Sequence, residues 1–162
     1  MAETPKTVEL SATMAGHGGI GTVASWTIAP PISYLARARS FAQAARILNE
    51  HQANDFTPYL LCCGQATELA LKGLLLAGGV SESTFSTNPG HRLVHAWRSA
   101  VTQGAHIPPD PPQWCELLDV VHTKPFDSRY PRANVLLGLP APSVMLEGID
   151  QLISVLEATL GV

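Results

Sequence analysis

The chain has 162 residues, of which 46% are hydrophobic, a length and composition that suit one globular domain and exclude general disorder. Ten Lys and Arg residues against thirteen Asp and Glu residues give a formal charge of −3, so a nucleic-acid ligand would need a local basic patch. Three cysteines form neither a disulfide framework nor a Cys-x-x-Cys metal pair, and we expect a reducing, cytoplasmic location.

Residues 1–30 are rich in Gly, Ala, Ser and Thr and show no long helical period, so they predict an irregular N-terminal arm. The opening MAETPKTVEL lacks a basic region followed by an apolar run, and no signal peptide is expected. GHGGIG at residues 16–21 matches the dinucleotide pattern GxGxxG. Because a proline pair soon follows and no βαβ unit does, we interpret it as a flexible glycine run.

Residues 31–162 predict an all-α, up-and-down bundle of four to five helices. The first predicted helix, about residues 32–51, begins after a proline pair and repeats apolar residues every three or four positions. The second, about Thr57–Ala77, is apolar nearly all round and ends at a glycine pair. This pattern indicates a central helix with neighbours on several sides.

Three further helices are predicted along the rest of the chain, at about His91–Gln103, after the link HIPPDPP, and at about Ser143–Leu160. For the fourth helix, Asp110 is the expected cap, and Pro111 is expected in the first turn. Gln113 then stands where a capping box places its polar residue.

The apolar second helix carries Gln65, Glu68 and Lys72 at spacings of three and four residues. These polar residues argue against a membrane span, and no membrane partner is expected. Ionised groups in a covered helix must be paired or hydrogen-bonded. We therefore interpret Glu68 and Lys72 as a structural pair that orients the helix against His91 or Arg129. A perturbed carboxylate in a cleft would instead make the pair part of a site.

Residues 122–132, HTKPFDSRYPR, are the most basic segment of the chain, with Asp127 as the single acid. Its basic side chains are His122, Lys124, Arg129 and Arg132. A phosphate group or an RNA backbone would be a natural ligand for such a segment. The alternative is a solvated loop in which Tyr130 packs inward and Arg129 pairs with an acid.

Among the six histidines, only His91 and His95 lie one helical turn apart, and the sequence places no third metal ligand beside them. HRLVH also lacks the glutamate of an HExxH zinc site, so we expect no metal and no cofactor. No GxSxG elbow and no P-loop is present.

Three short motifs occur in a recognisable order. They are Glu68-x-x-Leu71-Lys72 in a helix that ends at a glycine pair, Gly90-His91-x-Leu93 at the start of the next helix, and Arg129-Tyr130-Pro131 after the fourth helix. On a helical bundle, this order resembles the HEPN domain family. The resemblance covers roughly residues 33–160 and leaves the N-terminal arm outside it.

The resemblance implies a helical bundle that is usually dimeric and often associated with RNA or nucleotides. Many HEPN proteins are metal-independent ribonucleases of toxin–antitoxin or defence systems, with an Arg-x4–6-His motif near the last helix that pairs across the dimer. Others lack the motif and act as binding or antitoxin-like partners, some of them beside a minimal nucleotidyltransferase.

This chain departs from the catalytic pattern, because no His, Lys or Arg follows Arg132. We therefore predict a non-catalytic HEPN-like homodimer that binds RNA, a nucleotide or a partner protein such as a nucleotidyltransferase. The predicted contact residues are Lys124, Arg129, Tyr130 and Arg132, with Glu68, Lys72 and His91 in support.

The alternative is a ribonuclease whose catalytic residues are displaced, either Arg46 with His51 or Arg129 with His122. Arg46 and His51 match the motif spacing at the end of the first predicted helix. Five helical residues turn by about 140°, so these two side chains do not share a face.

Overall fold

The computed structural model describes residues 29–51, 56–85, 89–123 and 138–162, which contain five α-helices and no strand. The helices are α1 (Pro31–Glu50), α2 (Thr57–Ala77), α3 (Leu93–Thr102), α4 (Gln113–His122) and α5 (Pro142–Leu160), with a 3₁₀ turn at Glu82–Thr84. The predicted all-α bundle is confirmed. The predicted N-terminal arm lies outside the described residues, except for its last two positions.

Proline marks the starts of α1 and α2, and glycine marks the end of α2. Both α1 and α2 carry a proline in the first turn, where its missing N–H has no helical partner to lose. After α2, Gly79 adopts a positive φ of 88°. The Val80 N–H then donates to the Leu75 carbonyl at 2.9 Å and the Gly79 N–H to the Leu76 carbonyl at 3.0 Å. This is a Schellman motif, and it confirms the predicted glycine stop.

The start of α4 differs from its prediction. The helix begins at Gln113 with Pro112 as its N-terminal cap residue, and no side chain caps it, so the prediction of an Asp110 cap is wrong. Pro112 has an extended ψ of 154°, and a proline also disfavours the helical conformation of the residue before it. Helix geometry therefore cannot reach back to Pro111, and Asp110 is too far from the helix to cap it.

The third helix begins two residues later than predicted, at Leu93. Its first amide is bound by another helix, since the Leu93 N–H donates to the carboxylate of Asp119 on α4. This bond fixes the start of α3 against α4 and leaves His91 in the turn that precedes α3.

Helix α2 lies at the centre of the bundle and packs against the other four α-helices. Helix α1 packs along α2 and carries the buried small residues Ala38, Ala42 and Ala45. Trp97 of α3 and Trp114 of α4 pack edge to face with ring centroids 6.1 Å apart.

By length and composition alone, α2 could cross a membrane, and it is the one such helix in the described part of the chain. Within the bundle, 61% of its most apolar window is buried. A buried core helix passes the same test of length and hydropathy, so the result does not distinguish the two cases.

Candidate functional site

The side chain of Glu68 is the centre of a polar cluster inside the bundle. Its Oε1 lies 2.6 Å from Lys72 Nζ, and its Oε2 lies 2.6 Å from His122 Nε2 and 3.0 Å from His91 Nδ1. We call these four residues, Glu68, Lys72, His91 and His122, the Glu68 cluster. One carboxylate thus contacts three potential donors.

Three structural elements bring the cluster together. Glu68 and Lys72 lie one turn apart on α2, and His122 is the last residue of α4. His91 lies in the turn before α3, directly after Gly90, whose φ of 65° is a conformation that glycine adopts without steric cost. The bond between Asp119 and the Leu93 amide holds this turn beside the end of α4, so both histidines reach Glu68.

His122 is completely buried and packs on the backbone of α2 at Gly64. A Cβ at Gly64 would come within 2.8 Å of the His122 ring carbon Cγ, so only glycine leaves room for the imidazole. Within the described residues, His122 Nδ1 has no hydrogen-bond partner. We therefore assign the ring proton to Nε2, which donates it to Glu68, because a buried N–H without an acceptor would be costly at Nδ1.

The carboxyl of Glu68 is ionised at neutral pH despite its location. Burial alone would raise its pKa, but hydrogen bonds from His122, Lys72 and His91 and the charge of Lys72 outweigh that effect and lower the pKa to about 2. The negative charge of Glu68 therefore balances the ammonium of Lys72, and Glu68 does not act as a proton donor at neutral pH.

The aromatic ring of Phe85 packs against the ammonium of Lys72. The Lys72 ammonium lies 5.5 Å from the centroid of the Phe85 ring, a cation–π distance. Tyr34 of α1 packs edge-on against Phe85 and donates its hydroxyl proton to the carboxylate of Glu82. Burial and the neighbouring Glu82 raise the pKa of Tyr34, so it remains protonated. Phe85 thus connects Lys72 of the Glu68 cluster to Tyr34 of α1.

His91 is the accessible member of the Glu68 cluster. Its side chain is 44% exposed, against 11% for Lys72, 7% for Glu68 and 0% for His122. A ligand or ion approaching the carboxylate through the described part of the structure would therefore meet His91 first.

The structure brings together four of the residues singled out by sequence, Glu68, Lys72, His91 and His122, and the predicted contact between Glu68 and His91 is present. The predicted contact residues Lys124, Arg129, Tyr130 and Arg132 lie outside the described residues. The same holds for the proposed alternative pairing of Glu68 with Arg129.

Arg46 and His51, the first displaced catalytic pair of the ribonuclease alternative, lie at the end of α1. The guanidinium of Arg46 forms an ion pair with Asp150 of α5, next to a second α1–α5 pair in which Arg39 and Glu157 are 2.6 Å apart. His51 follows α1 and is exposed. Arg46 thus contributes to helix packing.

Sequence reasoning assigned His122 to the basic segment and did not place it beside Glu68. A signal was available, because His122 lies four residues after Leu118, on the apolar face of α4. Leu118, Val121 and His122 are all fully buried. A histidine that continues a buried stripe needs a partner inside the core, and Glu68 on the central helix is that partner.

No known protein family, no characterised protein and no solved structure matches this chain. The likeness to HEPN domains therefore rests on the order of the three short motifs, and the site is interpreted from its own chemistry.

Proposed function

We propose that this chain is a non-catalytic, HEPN-like helical domain that binds RNA or a nucleotide through phosphate groups, in the cytoplasm and as a homodimer. The ligand is expected to contact the basic residues that follow α4 in the sequence, Lys124, Arg129 and Arg132, together with Tyr130. This part of the proposal rests on the charge of residues 122–132 and on the resemblance to the HEPN family.

The observation that carries the proposal is the complete burial of His122. A general acid or base must come within hydrogen-bond distance of the reacting group, and a fully buried ring cannot contact an RNA backbone in this conformation. His122 instead donates to Glu68 at 2.6 Å. In this arrangement, the histidine at the start of the basic segment holds the end of α4 in the core and leaves the phosphate ligand to other side chains.

The ionised carboxylate also supports binding over catalysis. Glu68 already balances Lys72 and receives hydrogen bonds from both histidines, so the described cluster offers neither a free base nor a free cation to a transition state. Arg46 is held by Asp150 in the same way. Among the described residues, Arg46, Glu68, Lys72 and His122 are thus committed to contacts within the fold.

The RNA-binding proposal predicts salt-dependent binding of a fluorescently labelled single-stranded RNA, followed by anisotropy. Each phosphate contact to a single strand adds about 0.7 to the slope of log K against log salt concentration. Replacing Arg129 and Arg132 by Ala should therefore weaken binding and lower the slope by about 1.4.

The matched control carries the same charge change on helices away from the basic segment. Arg37 of α1 and Arg98 of α3 are both exposed, and their double replacement by Ala should leave the slope unchanged. Equal losses of RNA affinity in the two double variants would show that binding depends only on the net charge of the chain. That result would contradict a binding site at residues 122–132.

The homodimer part of the proposal predicts a molar mass twice that of the chain, measured by light scattering on a column at micromolar concentration. The reason is the resemblance to HEPN domains, which are usually dimeric. A single-chain mass at every concentration tested would contradict this part and leave RNA binding by a monomer.

A further inference from the structure

We propose that Glu68, His91 and His122 form a binding site for one divalent transition-metal ion of the Zn²⁺ type. The three side chains offer one carboxylate oxygen and two imidazole nitrogens, and these donor atoms all lie within 4.8 Å of one another. They come from α2, from the turn before α3 and from the end of α4, so tertiary packing creates the site. Neutral imidazole and carboxylate are the ligands that Zn²⁺ binds in proteins.

Because both histidines donate to Glu68 in the metal-free chain, binding of the ion requires each ring proton to move to the other ring nitrogen. For His122 that nitrogen is Nδ1, which has no hydrogen-bond partner in the described residues, so the exchange lowers the affinity of the site.

The spacing of the donors is close to that of a zinc site. Bonds of about 2.0–2.2 Å in a tetrahedral arrangement put neighbouring ligand atoms about 3.3 Å apart. Here Glu68 Oε2 is 2.6 Å from His122 Nε2 and 3.0 Å from His91 Nδ1. An entering ion would need to widen the contact between Glu68 Oε2 and the buried His122 Nε2 by several tenths of an ångström, whereas the contact with the exposed His91 is already closer to the required distance.

Lys72 fixes which carboxylate oxygen is available to the ion. Its ammonium lies 2.6 Å from Oε1, while Oε2 is the oxygen nearest to both histidines. A hydrogen-bonded second oxygen is the usual support for a carboxylate that binds a metal. The same ammonium repels a nearby cation, so Lys72 orients Glu68 and also weakens the affinity of the site.

An ion would enter the cluster beside His91, and a fourth ligand would bind from the same side. His91 is the exposed member, and the other two ligands are buried behind it. Three protein ligands with one open position are the arrangement of zinc sites that bind water or a substrate group. An ion held here would present its open position to a small oxygen ligand, such as a water molecule or a phosphate oxygen.

The proposal is tested on the full chain, without a histidine tag, after treatment with EDTA and transfer to metal-free buffer. Titration with ZnCl₂ at neutral pH in a calorimeter should show one ion per chain. His91→Ala should lower the affinity at least about tenfold, since even residues that only support a ligand change affinity by 10–100-fold. Because the His91 side chain is exposed, His91→Ala should disrupt the fold less than a substitution of Glu68 or His122.

Two controls separate a metal site from a purely structural cluster. His106 is exposed and lies outside the cluster, so His106→Ala should bind Zn²⁺ as the parent chain does. Four-coordinate Co²⁺ gives intense visible absorption, which should appear with the parent chain and be lost with His91→Ala.

The inference is overturned if the parent chain binds no Zn²⁺, or if His91→Ala binds it with unchanged affinity and stoichiometry. If His91→Ala fails to fold by circular dichroism, His91→Gln takes its place with the same expectation. RNA binding in EDTA is independent of this result, so failure of the metal site and failure of the proposed function can be told apart.

Discussion

Replacing Glu68 by Gln is expected to lower the free energy of unfolding by about 3–5 kcal/mol, the usual effect of removing one partner from a buried ion pair. The amide keeps the size of the carboxyl group but removes the charge that balances Lys72, which is itself buried. The Gln carbonyl can keep the contacts with the histidines at the Oε2 position only if the NH₂ group, which accepts no hydrogen bond, faces the Lys72 ammonium. Urea unfolding followed by circular dichroism measures the loss.

Glu147 of α5 is the matched control, because its carboxylate is exposed and its nearest polar contact is Gln151 at 3.4 Å. Glu147→Gln should change stability by no more than about 0.5 kcal/mol. The double variant Glu68→Gln/Lys72→Met removes the stranded ammonium and should recover part of the loss. Equal stability of Glu68→Gln and Glu147→Gln would contradict a buried, charge-balanced cluster.

Gly64→Ala is expected to destabilise the chain by about 1–2 kcal/mol. A new Cβ would come within 2.8 Å of His122 Cγ and push the ring away from Glu68. Overpacking a filled core costs about 1–3 kcal/mol, and alanine regains up to about 1 kcal/mol of helix propensity over glycine. The clash outweighs the propensity because both the backbone of α2 and the His122 ring are held in place. Urea unfolding gives the difference.

A double-mutant cycle shows whether His122 is the cause of that loss. In a His122→Ala background the ring is gone, so Gly64→Ala should become neutral or slightly stabilising. Gly138→Ala serves as the control, since no described residue lies within 4 Å of a Cβ at that position. If Gly64→Ala lowers stability by the same amount in the His122→Ala background, a clash with the His122 ring is not the cause of the loss.

The ends of several helices could be predicted because local chemistry determines them. The proline pair at residues 30–31 and the glycine pair at residues 78–79 act on their own backbone, and α1 and α2 end within a residue of the predicted positions. The prediction for the start of α4 was wrong for an equally local reason. Pro112 excludes helix geometry at Pro111, and the capping pattern around Asp110 does not express this restriction.

The Glu68 cluster could be predicted in part. A buried carboxylate and a buried ammonium at helical spacing required partners, and one of the two partners named from sequence, His91, contacts Glu68. The apolar stripe of α4 indicates that His122 is buried, but it does not identify Glu68 as the partner, because that contact depends on α3–α4 packing through Asp119 and on the space at Gly64. Both are contacts between residues far apart in the chain, which no local pattern encodes.

A single gel experiment tests the central claim, RNA binding without cleavage, most directly. The purified chain is incubated with labelled single-stranded RNA in EDTA and run on a native gel, and the RNA recovered from the retarded band is run on a denaturing gel. The account predicts a retarded band that contains full-length RNA. Shortened RNA whose formation is lost in His51→Ala or His122→Ala, or the absence of any retarded band, would contradict it.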